Sequence, residues 1–185
     1  MAKRKTRRRR KSNTMNKKYI LLLAGLIIFL VNFFGEKFGE IQNKSLPEKT
    51  YKVLYVSDGD TLTVDDGGSK RKLRLYGIDA PEKTQTYGLE SKEFLLNKIR
   101  DKNIEVTFIS KDRYGRDISV IYLENENINE LMVREGYAWW YKEYAKDDFI
   151  YGEYEKKARE KKKGLWSKSN PVPPWEYRKN KKSKK

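Results

Sequence analysis

Tyr51–Ser57 alternates with β-favouring residues, and Asp58-Gly59 then supplies a turn. Thr61–Val64 reads as a second strand, ended by Asp65-Asp66-Gly67-Gly68, a strong hairpin signal. Lys72–Tyr76 reads as a third strand, and Pro81 ends regular structure just beyond it. Leu89, Phe94, Leu95, Leu96 and Ile99 recur at near-helical spacing, which predicts a helix over Leu89–Ile99. Ile104–Ile109 and Ile118–Leu123 alternate as a fourth and a fifth strand, with Asp112–Arg116 as the loop between them. Ile128–Glu135 predicts a helix closed by Gly136, and Phe149–Lys163 a charged amphipathic helix ended by Gly164. Five short strands with helices inserted and appended predict a β-rich α+β domain, a small barrel of the OB type with helices packed on it.

The pattern breaks down at both ends. Residues 1–18 are a basic polar tail with no apolar periodicity, the composition of a disordered segment. Residues 19–34 are almost wholly apolar, with Asn32 the one strongly polar residue. As a helix they would span roughly 24 Å at 1.5 Å per residue, a little short of a bilayer core. Phe38 and the snorkelling Lys17 and Lys18 extend that reach. A buried globular helix would show a polar face, and this run has none. A cleaved secretory leader would need small residues near the cleavage point, which Asn32-Phe33-Phe34-Gly35 matches poorly. The reading that remains is an uncleaved transmembrane signal-anchor with its basic end inside the cell and the rest of the chain outside, secretion after cleavage being the alternative. Residues 35–49 read as a polar linker, 50–168 as the folded domain and 169–185 as a Pro- and Lys-rich tail.

Charge changes the picture less than its size suggests. The formal net charge is +16, but residues 1–18 carry ten Lys or Arg and no acid, and residues 176–185 carry six against one acid. The stretch between is nearly neutral, so phosphate recognition there rests on individually placed arginines. The chain has no Cys and no His. That removes disulfides, thiol nucleophiles, histidine acid–base pairs and His- or Cys-ligated metals. What is left for hydrolysis is carboxylates, arginines, hydroxyls and a hard cation such as Ca²⁺, Mg²⁺ or Mn²⁺.

Three segments supply that toolkit: Asp58-Gly59-Asp60-Thr61, Arg74-Leu75-Tyr76-Gly77-Ile78-Asp79-Ala80-Pro81-Glu82 and Asp112-Arg113-Tyr114-Gly115-Arg116. Adjacent barrel strands would bring Asp60 and Asp79 together as metal ligands. Pro81 stiffens the bend and leaves the Ala80 carbonyl free to point at an ion. Glu82 is placed to take a proton from water. Arg74 interrupts an apolar strand, and Arg116 ends a Tyr-Gly turn. Two planar guanidiniums facing one phosphate would neutralise charge growing in a pentacoordinate transition state. Taken singly, each segment reads sooner as an ordinary turn or a surface ion pair.

Jointly, the segments resemble the thermonuclease, or staphylococcal-nuclease-like, family. The order and spacing match, and Asn129–Ala138 and Gly164-Leu165-Trp166 fit as well. The resemblance covers about residues 50–168. Pro171–Glu176 looks like a tail seen in bacterial members. It implies an OB-type barrel with three helices and Ca²⁺-dependent hydrolysis of DNA and RNA, single-stranded or locally open, leaving 3′-phosphate ends. By resemblance, Asp60, Asp79 and the Ala80 carbonyl hold one Ca²⁺, Glu82 is the general base, and Arg74 and Arg116 bind phosphate. Arg113 and Tyr114 match positions lining the nucleotide pocket, with Tyr141 and Tyr144 as candidates beside them. The family's secreted prototype has Thr where this chain has Ala80. No protein partner is implied, and a monomer is expected. The alternative is a non-catalytic nucleic-acid-binding or surface-interaction module of the same fold, which would be expected to lack the acids and arginines present here.

Overall fold

The computed structural model describes residues 49–183. The expectations for residues 1–18 and 19–34, and nearly all of the linker, lie outside the described residues. Among the described residues no helix is long and apolar enough to cross a membrane.

β1 (Thr50–Asp58), β2 (Thr61–Asp66) and β3 (Ser69–Leu75) form an antiparallel meander. β4 (Ile78–Asp79) follows, and the chain then runs through α1 (Gly88–Ile99) to β5 (Asn103–Lys111), which returns antiparallel to β1. β6 (Asp117–Leu123) pairs antiparallel with β5 and, on its other side, parallel with β3. That last pairing, Leu73 opposite Asp117 and Arg74 opposite Ile118, closes five strands into a barrel. Closure leaves the five strands without a free edge and seals a core of Leu62, Val64, Leu73, Leu75, Ile104 and Ile121, all essentially inaccessible.

Each strand lies where alternation predicts it, with small differences. β3 begins at Ser69 rather than Lys72, because Lys70 and Arg71 still pair with Asp65 and Val64 although their side chains are not buried. In β1 the register slips between Val53 and Tyr55, so Leu54 and Tyr55 both face outward.

α2 (Ile128–Arg134) is preceded by the two-residue β7 (Glu126–Asn127). Its N-cap is Asn127, whose side chain accepts the Glu130 N–H and donates to the Glu130 carboxylate, a reciprocal cap. Beyond the two-residue β8 (Trp139–Trp140), α3 spans Phe149–Glu160, three residues shorter than predicted. It ends because Lys162 takes a left-handed conformation (φ 50°), letting Lys163 N–H reach the Ala158 carbonyl and Lys162 N–H the Arg159 carbonyl. A 3₁₀ turn (Gly164–Ser167) then leads to a fourth helix, α4 (Pro174–Lys182), inside the segment read as a tail. Pro174 at its first turn is pre-organised for a helix start.

Asn129 fastens α2 to the barrel. It is fully buried, accepts the Ile121 N–H (3.1 Å) and donates to the carbonyls of Ser119 (3.1 Å) and Tyr76 (3.0 Å).

Candidate active site

The turn between β1 and β2 delivers Asp60. Gly59 makes the turn possible, since a Cβ there would lie 1.9 Å from Ser91 Oγ and 2.8 Å from Ala80 Cβ. A Gly59→Ala change should therefore cost about 1–3 kcal/mol through overpacking, measured as a lower urea midpoint with unchanged slope.

Asp60 Oδ2 accepts the Ala80 N–H (2.6 Å) and lies 2.9 Å from Arg74 Nη1, while Oδ1 accepts the Thr61 hydroxyl (3.0 Å). Asp79, at the end of β4, is 1% exposed and meets Arg74 Nη2 at 2.9 Å. One guanidinium thus bridges two nearly buried carboxylates. Arg74 can do so because its backbone sits at the junction of β2, β3 and β6, opposite both Thr61 and Ile118. Burial pushes both acids above the ordinary carboxylate range. For Asp60 the neighbouring Asp58 and Asp79 add to the rise, against the pull of Arg74 and the Ala80 N–H. For Asp79, Glu82 adds to it, against hydrogen bonding from Arg178 and the charge of Arg74. Two carboxylates gathered on one guanidinium present the hard oxygen donors that a divalent cation takes. Among the described residues there is no ready-made cage of three or more acidic side chains, so such an ion would rest on Asp60 and Asp79 with backbone and water oxygens completing its shell.

The loop between β5 and β6 is organised by Asp112. Its carboxylate accepts the Tyr114 and Arg116 N–H groups (2.9 Å each) and Arg116 Nε (2.7 Å). Gly115 supplies the left-handed residue that lets the loop turn back (φ 78°). Although burial works the other way, those donors hold Asp112 below its usual pKa. Tyr114 projects into solvent at 70% exposure, with the Arg113 guanidinium 5.0 Å and the Arg116 guanidinium 5.6 Å from its ring centre. Tyr141, anchored by its N–H to the Gly77 carbonyl (2.9 Å), packs against Tyr144 at 4.6 Å between centroids. Burial raises the Tyr141 pKa, and the charge of Asp79 adds to it.

All ten residues singled out from the sequence line one open cavity of about 610 Å³: Asp60, Arg74, Asp79, Ala80, Glu82, Arg113, Tyr114, Arg116, Tyr141 and Tyr144. Sequence reasoning missed an eleventh, Arg178 of α4. Its Nη1 donates to Asp79 Oδ1 (3.1 Å) and Glu82 Oε1 (2.8 Å), and its Nη2 to Asp79 Oδ2 (2.8 Å). Burial disfavours its charge, yet the two carboxylates hold its pKa above the ordinary arginine value. The available signal was Pro174-Trp175, a helix start followed by an aromatic anchor. Trp175 stacks on Tyr141 (5.4 Å, 2°) and meets Trp139 edge-on (5.7 Å).

The family profile described as staphylococcal nuclease homologue matches residues 72–168. The chain is 40% identical over 164 residues to an uncharacterized endonuclease of Haemophilus influenzae, covering 88% of this chain and 86% of that protein. An uncharacterized endonuclease of Escherichia coli is 41% identical over 128 residues, covering 69% of this chain and 83% of that protein. The staphylococcal-like nuclease CAN1 of Arabidopsis thaliana is 36% identical over 139 residues, covering 75% of this chain and 41% of the plant protein. With a five-stranded closed barrel and all three motif segments gathered in one cavity, the chain belongs to the staphylococcal nuclease homologue family.

Proposed function

We propose that this chain is a Ca²⁺-dependent phosphodiesterase that hydrolyses DNA and RNA. The observation that carries the reading is the juxtaposition of two buried carboxylates, a proton acceptor and two arginines in one open cavity. The relatives named nucleases and endonucleases support the same class of reaction.

Asp60, Asp79 and the Ala80 carbonyl would hold the ion. When bound, Ca²⁺ supplies positive charge against the phosphate and the developing alkoxide. Everything else falls to side chains of this chain. Glu82 takes the proton from the water that attacks phosphorus in line. Arg74 and Arg116 donate to the non-bridging phosphate oxygens, where charge accumulates in the transition state. The P–O5′ bond breaks, the phosphate stays on O3′, and the departing O5′ takes a proton from solvent. Arg113, Tyr114, Tyr141 and Tyr144 form the wall on which a nucleotide rests. An exposed ring and adjacent guanidiniums favour unpaired bases, which present a face for stacking, so the substrate is single-stranded or locally open.

Residues 19–34 anchor the chain in the membrane with the nuclease domain outside, and the enzyme acts as a monomer. Zymography of membrane and medium fractions on denatured DNA tests the whole reading. Activity is expected in the membrane fraction with Ca²⁺, falling about tenfold or more in chelator. Undiminished activity in chelator would sink the cation requirement, and activity confined to the medium would sink the anchor.

A further inference from the structure

Arg178 stands where it obstructs the chemistry. It takes both oxygens of Asp79 and one of Glu82. Arg74 already bridges Asp60 and Asp79, and the Asp60 oxygens also take the Ala80 N–H and the Thr61 hydroxyl. Two guanidiniums thus neutralise most of the charge on three carboxylates. A divalent ion joining Asp60 to Asp79 would lie against the Arg178 guanidinium, and like charges that close in a partly buried site repel strongly. The ion and Arg178 compete for the same oxygens.

The helix that brings Arg178 is a docked arm. Trp175 stacks on Tyr141, the Tyr177 hydroxyl donates to the Thr84 carbonyl (3.1 Å), and the Gln85 side-chain amide donates to the Val172 carbonyl (2.6 Å). These contacts hold the start of α4. The Arg178 side chain remains 38% exposed, so it has a way out to solvent that leaves the anchors in place.

We propose that α4 is an autoinhibitory arm: Arg178 occupies the cation's place against Asp79 and engages one oxygen of Glu82, and cation binding evicts it. The proposal rests on the reading of Asp60 and Asp79 as cation ligands. One side chain thus takes both oxygens of Asp79 and one oxygen of Glu82. The domain then becomes competent only where free Ca²⁺ is high enough to displace it.

Calcium titration calorimetry on the full chain and on its Arg178→Gln variant tests this. An arm seated nine-tenths of the time weakens apparent affinity about tenfold, so the variant should bind Ca²⁺ about tenfold more tightly. Equal or weaker binding by the variant overturns the proposal and leaves the cation reading standing. Absence of binding by both chains overturns the two together. Should the variant fail to fold, the Arg178 Nε–H resonance of the wild-type chain decides. A shift toward that of a solvated arginine on adding Ca²⁺ supports eviction, and an unchanged resonance refutes it.

Discussion

Arg116→Ala will lower turnover of single-stranded DNA at saturating Ca²⁺ by about 10²–10³-fold, the usual cost of removing one donor aimed at transition-state charge. Arg116 suits that role because its loop is rigid without it. Asp112 also accepts the Tyr114 N–H, and Gly115 sets the bend through its own backbone. The side chain is 26% exposed, and among the described residues its ion pair is with Asp112, which lines the cavity beside it. Losing such a pair changes stability by at most about 1 kcal/mol. Activity and thermal midpoint should therefore separate: the first collapses and the second barely moves. Arg116→Lys should stay well below wild type, since a point charge cannot reproduce the planar fork on a phosphate. Near-normal turnover in a folded Arg116→Ala protein would remove Arg116 from the mechanism.

Asn129→Ala will be the most damaging of these changes to stability, at about 3–5 kcal/mol. The alanine would strand one buried N–H, on Ile121, and leave the Ser119 and Tyr76 carbonyls without the amide they now share. No water reaches a side chain with no exposed surface. The measurement is the urea midpoint. A loss under 1 kcal/mol would mean that backbone rearrangement or an admitted water satisfies the Ile121 N–H and the Tyr76 carbonyl, the Ser119 carbonyl keeping the Tyr76 N–H. The effect differs in kind from that of Arg116→Ala. Asn129 does not line the cavity and reaches it only through the Tyr76 carbonyl, so the folded fraction of the variant should keep most of its turnover per molecule.

The barrel was legible because its strands announce themselves locally. Runs of β-branched and aromatic residues such as Tyr51–Ser57 or Ile118–Leu123 need no knowledge of partners, and Gly67 and Gly68 mark the hairpin by the positive φ that they adopt. The two-residue pairing of β4 with β8 was beyond reach, since so short a run carries no period. So was the parallel contact between β3 and β6, which depends on residues distant in the chain. The site residues were legible only together: Asp79 or Arg74 alone is indistinguishable from a turn acid or a surface ion pair. Arg178 stayed hidden for a different reason. It sits among Tyr177, Lys179, Lys181 and Lys182, and in a basic run one cation cannot be told from its neighbours. Its importance comes from Trp175 fixing the helix and from its own place three residues further on, facing the cavity.

The seam between β3 and β6 has a bearing on when this molecule becomes dangerous. Arg74 lies on one side of that seam, and the loop carrying Arg116 opens onto the other. Until the seam forms, neither arginine has a fixed position relative to the other, and Asp79 has no scaffold. Pairings between strands far apart in the chain carry a high loop-closure entropy and are slow to form. A chain emerging from the ribosome, or one partly unfolded, therefore contains every chemical group of a nuclease and no nuclease. The topology itself keeps the domain harmless to the cell's own nucleic acids until synthesis has passed β6 and the barrel has shut.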